Sequence, residues 1–279
     1  MNRPGARSVD LLVQSRSALL DALVALDAHR EAVIVIGAQA VYLRTSAAPV
    51  ALAEATKDSD LALDPRELRD DPLVEEAMTW AGFYLNPTSR QPGAWLSPVG
   101  IPVDLMVPEA FAGAGGKQAR GARIPPHSKT ATRRARGLEA TLVDNSPLEV
   151  TALDQADPRR YTVKVAGTGA LLVAKLHKIA ERADSPTRLV DKDAHDIYRI
   201  LIDIETPDLA EAFARLRVDP VSADETGQAL LYLSDLFAGG PTALGARMAG
   251  RAEAGIGEPD TVALQASILA ADLLTAMRQ

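Results

Sequence analysis

Cysteine is absent from the 279 residues. That removes disulfides, thiolate metal sites, iron–sulfur clusters and cysteine nucleophiles together, and points to a reducing cytoplasm as the natural compartment. Long apolar runs are missing too. The longest, Ala32 to Ala38, falls far short of the roughly 20 residues that span a bilayer. No apolar core follows the arginines of the N-terminal MNRPGARSVD, so neither a membrane partner nor a secretory signal is expected. Acids are missing from the whole stretch Ala110 to Leu138. That stretch holds seven bases: Lys117, Arg120, Arg123, Lys129, Arg133, Arg134 and Arg136.

The chain as a whole is acidic, with 37 acids against 30 bases and a net charge of −7. Leaving out the basic stretch gives 23 bases against 37 acids, a net of −14. Such a body repels polyanions, whereas residues 110–138 would attract phosphates. Gly113, Gly115, Gly116, Pro125 and Pro126 make this segment read as a long mobile loop. It has no aromatic beyond Phe111, so base stacking is not indicated. Gly-Ala-Gly-Gly-Lys at 113–117 is not a Walker loop, because Phe111 stands at the first glycine position and Gln118 follows the lysine.

With 47% hydrophobic and 24% charged residues, the composition is that of a globular protein. Helical spacing of Val9, Leu12, Val13, Leu19, Leu20 and Leu23 predicts a helix within 8–30. Val33 to Ile36 and Asp58 to Leu63 read as strands, Ala38 to Arg44 as a short helix and Pro65 to Gly82 as another. Further strands are expected at 83–85, 94–96, 101–107, 139–143, 148–153 and 161–165. From Gly169 onward the pattern is helical: 169–183, 191–204, 207–216, 223–237, 241–254 and 261–277. This predicts an α+β fold with a mixed sheet in 1–166 and a helical domain in 167–279.

The chemistry centres on Thr56-Lys57-Asp58-Ser59-Asp60-Leu61. Residues i and i+2 of a strand project to one face, so Asp58 and Asp60 point the same way. Two carboxylates that close repel and need a cation. Mg²⁺ prefers carboxylate oxygens and brings triphosphates with it. Asp104 is the only charge in Val103-Asp104-Leu105-Met106-Val107, a buried-strand pattern in which a lone acid has a partner or a metal. Three carboxylates on neighbouring strands would hold two Mg²⁺ ions and support nucleotidyl transfer from an NTP.

Val35-Ile36-Gly37-Ala38-Gln39-Ala40-Val41-Tyr42-Leu43, followed by the Asp-x-Asp strand, resembles the start of DNA polymerase β-like nucleotidyltransferases. Leu171-Leu172-Val173-Ala174-Lys175-Leu176-His177-Lys178, then Lys192-Asp193-Ala194-His195-Asp196-Ile197-Tyr198-Arg199-Ile200-Leu201, resembles the last two motifs of the AbiEii/AbiGii-type nucleotidyltransferase toxins, which include the MenT-type toxins. The likeness covers roughly 33–205, in four ordered blocks.

The resemblance implies catalytic roles for Asp58, Asp60, Lys175 and Asp193, with metal held by Asp58, Asp60 and Asp104. It places the nucleotide phosphates on the backbone N–H groups of Gly37 and Ala38 and on Lys175, with Asp196 orienting the lysine or Arg182. It implies a toxin that modifies RNA, such as a tRNA 3′ end, and a cognate antitoxin. Ala38 stands where the family has Gly or Ser, and Ser59 where it has an aliphatic residue. Two other readings stay open: transfer to a small molecule or protein side chain, and a non-catalytic nucleotide-binding module. His29, His127, His177 and His195 show no metal-ligand spacing, and structural or surface roles are expected for them.

Overall fold

β-Branched and apolar runs at the expected strand positions assemble one mixed sheet. The computed structural model describes residues 4–46, 48, 57–115 and 119–278, with the backbone alone for 4–10. The architecture is α+β. Two compact units are present: Met1–Ala40, Ala55–Leu138 and Asn145–Ala166 form the first, and Val41–Glu54, Glu139–Asp144 and Gly167–Gln279 the second. Among the described residues, no helix is long and apolar enough to cross a membrane.

The first unit opens with α1 (Pro4–Ala25) and a tighter 3₁₀ segment, Asp27–Ala32, leading into β1 (Val33–Ile36). Helix α2 (Gly37–Arg44), whose residues from Val41 on belong to the second unit, follows, then β2 (Ser59–Leu63), α3 (Val74–Trp80), β3 (Tyr84–Leu85), β4 (Ala94–Leu96), β5 (Pro102–Pro108), β6 (Arg133–Ala135), β7 (Asn145–Thr151) and β8 (Arg160–Ala166). The strand order is β3-β4-β5-β2-β1-β8-β7, with β6 also paired to β5. β2 runs parallel to β5 and antiparallel to β1, in a register that sets Ile36, Asp60 and Asp104 side by side. One face carries Val33, Val35, Leu61, Leu63, Val103 and Leu105, all buried; α1 packs against β2 and β5, and its Leu19, Leu20 and Leu23 are buried. Asp60 and Asp104 belong to the opposite face.

Three expectations need correcting. The helix expected over 65–82 begins only at Val74. Asp64 instead folds onto Arg66, accepting its backbone N–H and its guanidinium, and Pro72 disfavours helix in the residue before it. The strand expected at 139–143 is a 3₁₀ turn, Glu139–Leu142, because its backbone bonds close locally, from Val143 N and Asp144 N to Ala140 O.

Residues 110–138 are not a mobile loop over the part described. β6 extends the sheet by pairing in parallel with Met106–Pro108 of β5, and Ala122, Ala131 and Thr132 are buried. The Trp95 indole N–H donates to Ala131 O at 2.9 Å, and backbone bonds tie Thr130 to Gly93 and Thr132 to Ala122. Gly93 (φ +71°) lies where β4, β5 and β6 meet. A Cβ there would sit 2.3 Å from Leu105 O and 2.6 Å from Arg133 N, so only glycine allows this junction.

The second unit contains α4 (Thr168–Arg182), α5 (Asp191–Asp203), α6 (Thr206–Val218), α7 (Ala223–Leu233) continued by a π turn at Ser234–Ala238, α8 (Leu244–Ala252) and α9 (Pro259–Ala276). Every residue of α5 from Asp193 to Leu201 is buried. A helix buried all round is ordinarily apolar all round, so each polar residue of α5 needs an internal partner. His195 pairs with Glu253 at 2.5 Å. Arg199 donates to the hydroxyl and carbonyl of Thr45 at 2.8 and 2.7 Å, and the Tyr198 hydroxyl donates to Gln265.

Candidate functional site

At the end of β1 the chain turns into α2 through Gly37, whose φ is +67°. A Cβ on Gly37 would fall 2.1 Å from Oδ2 of Asp60. Glycine is therefore required twice, for the left-handed backbone and for the space the Asp60 carboxylate occupies. Gly37→Ala is expected to lose at least ~2 kcal/mol in urea unfolding, from left-handed strain of roughly 1–2 kcal/mol plus displacement of the carboxylate. An unchanged unfolding midpoint would show that Asp60 does not lie against the start of α2.

Asp58 is exposed and Asp60 half-buried. Between them the Ser59 side chain turns to the other face and is 1% exposed. Its hydroxyl donates to Ser15 O at 3.0 Å, while the Ser15 hydroxyl donates to Asp58 O at 2.9 Å. Gln39 of α2 donates to Ser15 Oγ at 2.9 Å and accepts from Arg16 Nε at 2.9 Å. Arg16 also donates to Thr151 O at 3.0 Å, and burial lowers the pKa of its guanidinium. This buried network clamps the backbone around Asp58 from α1. The polar Ser59 is thus used in the core.

Asp104 has a cationic partner. Arg133 Nη2 donates to its Oδ2 at 2.8 Å, and Arg133 Nη1 donates to Gln91 Oε1 at 3.0 Å. Asp60 and Asp104 are brought together by register. Among the described residues, no group of three His, Cys, Asp or Glu is arranged to hold a metal ion. The oxygen donors of Asp58 and Asp60, with the Cβ-free cradle at Gly37, nonetheless suit a hard divalent cation.

The seven bases divide. Arg134 is nearly covered, its side chain 7% exposed, 3.3 Å from Glu109 and bonded to Gly113 O at 2.8 Å. Arg120, Arg123, Lys129 and Arg136 are exposed. Lys117 lies outside the described residues.

Lys175, Asp193 and Asp196 belong to the second unit and meet there. Lys175 Nζ lies 2.8 Å from Asp193 Oδ1 and 2.6 Å from Asp196 Oδ2. Lys178 and Arg182 also approach Asp193, at 2.9 and 3.6 Å. The three central side chains are each at most 7% exposed. Burial pushes the Lys175 ammonium toward neutrality, but Asp193 and Asp196 outweigh it and the net pKa shift is upward. Burial likewise raises the Asp193 carboxyl, and Lys175 and Lys178 override it, leaving its pKa well below the usual range.

A depressed carboxyl stabilises the fold fully above its unfolded pKa of about 3.9 and loses that stability as pH falls through the folded value. The raised lysine contributes fully below about pH 10.4 and loses its contribution only above that. The triad therefore predicts a helical unit of constant stability from about pH 5 to 9, weakening in acid. Urea midpoints measured across that range check it, and a midpoint falling steadily between pH 9 and 6 would contradict it.

The histidines take structural positions. His177 Nε2 lies 2.8 Å from Glu225 O, and His195 pairs with Glu253. His29 packs edge-on against His127, whose Nδ1 accepts the Val74 N–H at 3.2 Å. Burial lowers the pKa of His29. Sequence reasoning missed the Ser15–Arg16–Gln39–Ser59 network, whose only signal was polar residues among apolar neighbours. No family model, curated protein or solved structure matches the chain.

Proposed function

We propose that the chain is a metal-dependent nucleotidyltransferase with a polymerase β-like first domain, transferring a nucleoside monophosphate from an NTP to a hydroxyl of an RNA acceptor. The observation that carries this reading is the alignment of Asp60 with Asp104 on adjacent strands, two residues beyond Asp58 and against the Cβ-free turn at Gly37. In the reaction the acceptor oxygen attacks the α-phosphorus, a P–O bond forms, the α–β anhydride bond breaks and pyrophosphate leaves with its electron pair. Asp58 and Asp60 would hold Mg²⁺, which neutralises the triphosphate and acidifies the acceptor hydroxyl. The hydroxyl proton passes to solvent. The first N–H groups of α2, at Gly37 and Ala38, suit phosphate oxygens.

Lys175 is already engaged by two carboxylates. Its proposed role is to join α4 to α5, and a direct bond to triphosphate would require it to exchange one carboxylate for phosphate. Exposed Arg120, Arg123, Lys129 and Arg136 favour a polyanionic acceptor such as a tRNA end. A toxin role with a cognate antitoxin completes the proposal. The Arg133–Asp104 pair favours a non-catalytic module.

The test is incubation with α-labelled NTPs, Mg²⁺ and total RNA, with protein and small-molecule acceptors run in parallel. Label on RNA is expected. Label on another acceptor corrects the acceptor class, and no label on any acceptor contradicts the enzyme reading. Replacing Arg120, Arg123, Lys129 and Arg136 with Ala is expected to weaken RNA binding and flatten its salt dependence. Unchanged binding would remove this surface from the proposal.

A further inference from the structure

We infer that Arg133 is a positioning residue that keeps Asp104 away from the candidate metal site until a polyanion draws the guanidinium off, so that acceptor binding and metal binding are coupled. This inference rests on the nucleotidyltransferase reading.

The geometry begins with strand alternation. On β6, successive residues project to opposite faces. Arg134 is nearly covered and held by Gly113 and Glu109. Arg133, paired in register with Met106, projects to the face that carries Asp104, reaching back along β5 to the carboxylate at 2.8 Å. Gln91 holds the other guanidinium nitrogen at 3.0 Å, and Met106 Sδ lies 3.4 Å away. Asp104 is the register neighbour of Asp60. The carboxylate best placed to complete an oxygen set around a cation at Asp60 is thus the one held by an arginine.

A carboxylate held by guanidinium is a poor ligand for a second cation, because the two positive charges repel across a few ångström. The same guanidinium fork matches phosphate oxygens as well as carboxylate oxygens in geometry. Arg133 and Asp104 side chains are 24% and 23% exposed, so the pair can exchange partners without unfolding the strand. Arg133 also lies within the basic segment whose Arg120, Arg123, Lys129 and Arg136 are exposed. A polyanion collected there meets Arg133 as the next cation on the strand that follows. Transfer of Arg133 from Asp104 to phosphate would remove the positive charge that opposes a metal ion beside Asp104 and Asp60.

The experiment measures Mn²⁺ affinity of the full chain by electron paramagnetic resonance, with Mn²⁺ alone as the probe. Arg133→Met is expected to bind Mn²⁺ about tenfold more tightly than the unmodified protein, as removal of one neighbouring like charge allows, and Asp104→Asn in the same chain should cancel the gain. Gln91→Ala, which loosens Arg133 without removing it, should give a smaller gain in the same direction and guards against a folding defect in the methionine variant. In metal-free buffer, Arg133→Met should lower the salt slope of single-stranded RNA binding by about 0.7, one phosphate contact.

If Arg133→Met and Gln91→Ala bind Mn²⁺ no better while Asp60→Asn abolishes binding, the coupling is wrong and the metal site stands. An unchanged RNA salt slope also overturns the coupling. If no form of the protein binds Mn²⁺, the metal site itself fails.

Discussion

Lys175→Met is expected to destabilise the helical unit by about 3–5 kcal/mol, the cost of leaving a buried charge without its partner. Lys175 Nζ is the cation shared by Asp193 and Asp196, and both acids are almost fully buried. Lys178 and Arg182 would still reach Asp193, so the penalty falls mainly on Asp196. Methionine keeps most of the volume, which confines the loss to charge. Adding Asp193→Asn and Asp196→Asn should recover most of the stability, because no buried charge is then left uncompensated. The variant's pH response should also reverse. As pH falls from 7 to 5, protonation of an acid that has lost its cation should raise the urea midpoint of Lys175→Met, while the unmodified protein stays level. A loss under about 1 kcal/mol, with no reversal, would mean that the lysine is solvated rather than buried between the two carboxylates.

Asp60→Asn is expected to reduce nucleotidyl transfer by two to three orders of magnitude, the scale on which removal of one preorganised charge-stabilising group acts. Asparagine keeps the shape beside Gly37 and removes the charge, so the fold should persist with little change in its unfolding midpoint. Asp58→Asn is expected to reduce transfer as well. Transfer at the unmodified rate by a folded Asp60→Asn protein would remove this residue from the chemistry.

Much of the architecture is legible in the sequence because burial imposes a period. The β-branched run of β1 and the apolar positions of β2 and β5 mark the central strands, and the 3.6-residue spacing of α4 and α5 marks those helices. β6 was not legible. Arg133-Arg134-Ala135 has no apolar alternation, and its pairing depends on the edge of β5 left open beyond the short β4. Gly and Pro in 110–138 report local flexibility, whereas the sheet edge and the Trp95 indole satisfy that backbone from residues distant in sequence. The 65–73 segment reads as helix by composition, yet Asp64 closes a local turn with Arg66.

For the candidate site, the i, i+2 spacing of Asp58 and Asp60 was visible, and so was the need of Asp104 for a partner. The identity of that partner was not, since Arg133 lies 29 residues away on a strand with no sequence signal. The role of Ser59 was not legible either, since Ser15, its hydrogen-bond partner, is 44 residues upstream. Asp193 and Asp196 were readable as one helix face. Their burial depends on α5 packing against α4, α8 and α9, which no local spacing encodes.

Asp58, Asp60 and the turn at Gly37 form the proposed divalent-cation and triphosphate site. Calorimetric titration of a non-hydrolysable NTP analogue into the full chain, with Mg²⁺ and with EDTA, tests it most directly. Saturable binding that requires Mg²⁺ and disappears in Asp60→Asn is expected. Absence of binding, or equal binding with EDTA or in Asp60→Asn, would contradict it.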